Sequence, residues 1–212
     1  MKRGRFITIE GGEGAGKSTH AARLAHSLER RGIPALVTRE PGGTAEAERI
    51  RALLLDPGEA GWEAATEMLL HFAGRAENVA KTVKPALAAG RVVICDRFAD
   101  STLAYQGYGS GVPLAAIRSV GEAALDGFRP DFTVILDLDP ALGLERARKR
   151  RTAADRYESE PLDFHRRVRD GFLEIAAAEP ERCAVIGSAQ DEDRVAEEIL
   201  AAVLRRLDEP AS

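Results

Sequence analysis

Apolar and polar positions fall into alternating blocks along this chain. Short runs rich in β-branched residues recur: Arg5-Phe6-Ile7-Thr8-Ile9-Glu10, Ala35-Leu36-Val37-Thr38-Arg39, Arg91-Val92-Val93-Ile94-Cys95 and Phe132-Thr133-Val134-Ile135-Leu136-Asp137. Their near-continuous apolar character predicts buried parallel strands near 5–10, 34–39, 91–95 and 132–137, with a fifth near 183–187. Helical patterns lie between them. Leu24, Ala25 and Leu28 fit a helix through about Arg31, and Met68, Leu69 and Phe72 fit one over 62–89 that Pro85 kinks or breaks. Pro140 opens another, and 161–178 and 191–207 follow. The alternation predicts an α/β fold, a five-stranded parallel sheet flanked by helices. No repeat, low-complexity tract or linker divides residues 1–212, so they read as one domain with a frayed end at Asp208–Ser212.

The first strand runs into Gly11-Gly12-Glu13-Gly14-Ala15-Gly16-Lys17-Ser18, the G-x-x-x-x-G-K-[ST] phosphate-loop pattern. Glycines let the backbone curl until its N–H groups face an anion, and the following helix adds its positive end. Lys17 then reaches the β- and γ-phosphates and the Ser18 hydroxyl sits on Mg²⁺. The alternative is a ligand-free glycine-rich turn.

In open α/β sheets ligands bind beyond the carboxyl ends of the strands. Glu40-Pro41-Gly42-Gly43-Thr44 therefore belongs beside the phosphate loop, with Thr44 also capping the next helix. Arg49 and Arg51 on that helix are each either surface charges or anion ligands. Phe72 and Arg75 are three apart and share a helix face, where a ring and a guanidinium can hold a flat base; ordinary core is the alternative for Phe72. His71 reads as a partly exposed helix residue, not a ligand. Asp96-Arg97-Phe98 ends the third strand, pairing an acid for a metal-bound water with an arginine for phosphate; a local ion pair is the alternative. Ser101, Tyr105 and Gln106 follow on a short helical stretch, then Gly107-Tyr108-Gly109-Ser110-Gly111 reads as a mobile turn. Asp137 and Asp139 suit loop and cap roles. Arg146-Ala147-Arg148-Lys149-Arg150-Arg151 and the segment through Glu158 contain no core-forming strand, which suits an arginine flap at about 147–160.

Composition narrows this picture. With 212 residues, 44% of them hydrophobic, the chain can bury a sizeable core. A net charge of −4 offers no general attraction to nucleic acid or membranes, and no run nears the roughly 20 apolar residues of a membrane span. Met1-Lys2-Arg3-Gly4 leads directly into the first strand, with no secretory leader. Cys95 and Cys183 lack metal-ligand spacing and fit reduced core positions of a cytoplasmic protein.

The ordered set Ile9–Thr19, Thr38-Arg39-Glu40-Pro41-Gly42-Gly43-Thr44, Asp96-Arg97-Phe98, Ala104-Tyr105-Gln106-Gly107 and Asp155-Arg156-Tyr157-Glu158 resembles bacterial thymidylate kinases over roughly residues 5–205. The resemblance implies a nucleoside-monophosphate-kinase fold, the reaction ATP + dTMP → ADP + dTDP with Mg²⁺, and a homodimer. It implies ATP on Gly11, Gly12, Glu13, Gly14, Ala15, Gly16, Lys17, Ser18, Thr19 and Arg146. It implies dTMP among Arg39, Glu40, Pro41, Arg51, Phe72, Arg75, Arg97, Ser101, Tyr105, Gln106 and Glu158, with Phe72 stacked on thymine and Tyr105 disfavouring a ribose 2′-hydroxyl. Ser18, Glu13 and Asp96 would serve the metal, and Lys17, Arg97, Asp96, Arg150 and Arg151 the chemistry. The phosphate loop carries no arginine, so the catalytic arginine falls to the flap, as in the lid-arginine type. Two features depart from the pattern: Phe98 stands where tyrosine or histidine is common, and the basic segment is about one residue longer, leaving both Arg150 and Arg151 as inward candidates.

Overall fold

The structure, a computed structural model, describes residues 4–56, 58, 61–149 and 156–208. Five strands, β1 (Phe6–Gly11), β2 (Ala35–Arg39), β3 (Val92–Asp96), β4 (Phe132–Asp137) and β5 (Cys183–Gly187), form one parallel sheet in the order β2-β3-β1-β4-β5. The apolar runs place every strand within a residue or so of its expected bounds. β1 is buried along its whole length because it is the central strand and both of its faces are covered. Register puts Asp96 opposite Ile9 on one side and opposite Arg39 on the other, so the loops after β1, β2 and β3 open at one level.

On one face, α1 (Lys17–Glu29) and α9 (Glu192–Asp208) pack through Leu24, Leu28, Val195 and Ile199 onto Ile7, Ile9 and Val134. The other face carries α3 (Ala64–Asn78), α4 (Lys84–Ala88) and α6 (Leu114–Leu125) over Phe6, Val93 and Cys95, and α8 (Leu162–Ala178) over Ile135; α2 (Ala45–Leu55) packs on α3, α5 (Ala99–Thr102) follows β3 and α7 (Pro140–Lys149) follows β4. Phe6 and Phe98 meet edge to face at 4.9 Å in the core under α3 and α6.

One local expectation narrows and another changes. Pro85 does not break its helix: a π-helical turn over Val79–Val83 widens the coil just ahead of it, and the helix continues as α4. The expected turn over Gly107–Gly111 is confined to Ser110 and Gly111. Residues 103–109 form a π-helical segment packed beneath α8, where a Cβ on Gly109 would lie 2.6 Å from the Phe164 ring. Gly107, against Leu114, and Gly109 serve close packing. Asp139 caps α7 through Ala141 and Leu142 N–H, and Asp137 holds Arg169 in a two-point pair.

Candidate active site

A cavity of about 510 Å³ opens where the loops after β1, β2 and β3 meet. Its lining brings together Glu13, Gly14, Gly16, Lys17, Ser18, Arg39, Glu40, Pro41, Arg51, Arg75, Asp96, Arg97, Ser101, Tyr105, Gln106 and Glu158. These residues run from Glu13 to Glu158 in the sequence, so the convergence is a product of the fold.

At one end lies the phosphate loop. Gly14 has a φ of +69°, and a Cβ there would sit 2.0 Å from the Gly143 carbonyl oxygen, so glycine is required for the loop to rest on α7. Lys17 Nζ donates to the Gly12 carbonyl at 2.6 Å. Burial and the Arg97 charge pull its pKa down to about 8 against the opposing carboxylates of Glu13, Asp96 and Glu10. Ser18 Oγ donates to Asp96 Oδ2. Gly11, Gly12 and Ala15 shape the loop from outside the lining, and Thr19 is exposed on the first turn of α1. Among the described residues no group of three or more His, Cys, Asp or Glu side chains could chelate a metal. The Ser18–Asp96 oxygen pair instead suits a hard cation that keeps waters and takes further oxygens from phosphates, as Mg²⁺ does.

Arg97 stands at the centre. Nη1 donates to Gly11 O and Ser101 Oγ, and Nη2 to Glu13 Oε1 and Tyr105 Oη, all within 3.2 Å. Its backbone is left-handed, with φ 71°, a conformation held from below by Glu10. The buried Glu10 carboxylate accepts Phe98 N–H at 2.7 Å and Ser101 Oγ at 2.5 Å. Burial and Asp100 push the Glu10 pKa up. Glu13 behaves oppositely: burial opposes its charge, but Arg97, Lys17 and the Tyr105 hydroxyl outweigh it and hold the pKa at about 2. Glu13 Oε1 accepts from both Arg97 and Tyr105 beside the Ser18–Asp96 oxygen pair.

Arg75 marks the other end. It is fully buried, donating Nε to Glu40 Oε2 at 2.6 Å, Nη1 to Thr102 Oγ1 and Nη2 to the Phe98 carbonyl. Those bonds occupy three of five N–H groups. Glu40 also accepts from Asn78, and Arg51 donates to the Pro41 carbonyl. Arg39 pairs with Glu48 at the rim, and Arg49 lies outside.

Phe72 is a correction. It points into the core at 3% exposure, among Met68, Phe98 and Ile117, with Arg75 4.8 Å over its ring. His71 lines the cavity in its place. Both share a face with Arg75, at i+3 and i+4 spacing, and the four-residue partner is the one turned inward. His71 is half-buried; desolvation and four arginines, Arg75 foremost, drive its pKa to about 3. Leu54, Thr102 and Tyr157 also line the cavity and were not singled out from sequence. Phe98, the departure from the family pattern, packs in the core and acts through its backbone. Arg146 donates to the Ser188 carbonyl at 2.8 Å, away from this cavity. Arg150 and Arg151 lie outside the described residues.

A family model described as thymidylate kinase matches residues 9–199. The chain belongs to the thymidylate kinase family. It is 50% identical over 206 residues to the thymidylate kinase of Deinococcus radiodurans, covering 97% of this chain and 99% of that one. It is 48% identical over 200 residues to that of Solidesulfovibrio magneticus, covering 92% and 96%. The crystal structure of thymidylate kinase from Ehrlichia chaffeensis superposes with a TM-score of 0.77 at 37% identity, covering 95% of this chain and 99% of that chain.

Proposed function

We propose that this chain transfers the γ-phosphoryl group of ATP to dTMP, giving ADP and dTDP for dTTP synthesis in the cytoplasm. The observation that carries the reading is one cavity with Lys17 and Ser18 at one end, Arg97 at the centre and Arg75 with Gln106 at the other. A nucleoside monophosphate fits that order: base on Arg75, Gln106 and His71, sugar beside Tyr105, phosphate toward Arg97. ATP takes the phosphate loop, with Arg146 and the Ser188 loop toward its base.

An acceptor phosphate is already largely ionised near neutral pH, its second pKa being about 6, so no strong base is needed. The phosphate oxygen attacks the γ-phosphorus in line, and the protein must align two polyanions and neutralise them. Lys17 and Arg97 supply positive charge for both tasks. Ser18 and Asp96 would hold Mg²⁺, which supplies further charge neutralisation across the transferred phosphate. Asp96 orients; it does not take a proton. The segment at about 147–160 serves as a lid whose arginines, Arg150 and Arg151 foremost, stabilise the transition state and exclude water.

Leu53 on α2 and Leu69 on α3 are about half exposed, and this apolar face supports a homodimer through α2 and α3. ADP release that depends on dTMP tests the reaction, and light scattering tests the dimer.

A further inference from the structure

Glu67 does not line the cavity, yet it bonds two residues that do. It is 3% exposed on α3. Its carboxylate accepts from Gln106 Nε2 at 2.7 Å, from the Tyr157 hydroxyl and from the Arg156 guanidinium. The donors come from elements 39 to 90 residues away in sequence.

A carboxylate paired with a guanidinium is an acceptor only. Gln106 must therefore turn its NH₂ toward Glu67, and the same nitrogen donates to Tyr157 Oη at 2.9 Å. The single Tyr157 hydroxyl hydrogen goes to Glu67, so Oη accepts, both from Gln106 and from His71 Nε2 at 3.3 Å. One buried carboxylate thus sets the direction of all these bonds. With its NH₂ committed, Gln106 has its carbonyl Oε1 left to offer to the cavity it lines.

We propose that Glu67 is a positioning residue that sets the hydrogen-bond polarity of the base pocket. Through Gln106 the pocket presents an acceptor and selects a base with a ring N–H donor, a pyrimidine-2,4-dione, over a 4-aminopyrimidine whose ring nitrogen is itself an acceptor. The inference rests on the reading that a nucleoside monophosphate places its base beside Arg75 and Gln106. A Glu67 that only braced α3 would support the fold without affecting which base is chosen.

Glu67→Gln tests it. The variant keeps the side chain's size but gives it an NH₂ of its own, so the Gln106 amide is free to turn over. kcat/KM is measured for dTMP and dCMP, with KM for ATP alongside. Sites built to bond a substrate N–H reject a mismatched analogue by about 10⁴–10⁵, which leaves a wide range to read. The dTMP-to-dCMP ratio falls by at least about tenfold in Glu67→Gln while KM for ATP stays within about twofold. An unchanged ratio, or a uniform loss toward dTMP, dCMP and ATP, overturns the inference. A wild-type chain without preference for dTMP over dCMP overturns the functional reading itself, and the wild-type arm shows that separately. Nitrogen-15 spectra of the wild-type chain give a second test that needs no variant. With dTMP bound, the Gln106 NH₂ protons keep their nuclear Overhauser contacts to the Tyr157 side chain, because that group remains on Glu67 and Tyr157; loss of those contacts in favour of contacts to the thymine ring overturns the inference.

Discussion

Arg97 Nη2 lies 2.7 Å from Glu13 Oε1, joining the end of β3 to the phosphate loop across the cavity floor. The pair keeps Arg97 charged: although burial opposes the charge, Tyr105 and Glu13 raise its pKa well above the ordinary value. Arg97→Ala should lower kcat/KM for dTMP by roughly 10²-fold, the size of losing two charged hydrogen bonds. Arg97→Lys should recover only part, because an ammonium lacks the planar fork. Steady-state kinetics with dTMP varied decide this, and unchanged values would remove Arg97 from the acceptor site.

Lys17→Ala should cut turnover by about 10²-fold or more while the melting temperature stays close to wild type, since Nζ makes a single bond to Gly12 O. Near-normal turnover would refute the phosphate-loop assignment.

Phe72 and His71 should separate cleanly. Phe72→Ala empties a core position and should cost about 3–5 kcal/mol of stability in a denaturant melt. His71→Ala should leave stability nearly intact and raise KM for dTMP roughly tenfold, the size of one stacking contact. The reverse pattern would return Phe72 to the base pocket.

His71 also gives a pH dependence. Its pKa falls from 6.5 in the unfolded chain to about 3 in the fold. Below pH 6.5 the unfolded chain takes up a proton there that the native chain refuses. The contribution to stability is complete above about 6.5 and is lost as the pH falls toward 3. The melting temperature of wild type minus that of His71→Gln should therefore fall between pH 7.5 and 5, acid losses common to both chains cancelling in the difference. A constant difference would contradict the depressed pKa.

The sheet was legible because each strand is a continuous apolar run, and the phosphate loop because its chemistry is local. Arg97, Tyr105 and Gln106 were legible because they follow a strand end in order. The Phe72 assignment failed because i+3 and i+4 neighbours of Arg75 look alike until α3 is docked on the sheet. Gly107 and Gly109 looked like turn glycines because the ring of Phe164, which excludes a Cβ at Gly109, lies more than fifty residues away. Glu10 and Glu67 left no pattern for the same reason: a buried carboxylate's role is set by donors distant in sequence.

The most direct test of the central claim is ADP release from ATP and Mg²⁺, compared across dTMP, dUMP, UMP, dCMP, AMP and GMP. Strong turnover with dTMP, with dUMP a poor second and the others near background, is the result predicted. Turnover with another monophosphate would contradict the base-pocket assignment, and ATP consumption indifferent to every acceptor would contradict phosphoryl transfer to a nucleotide altogether.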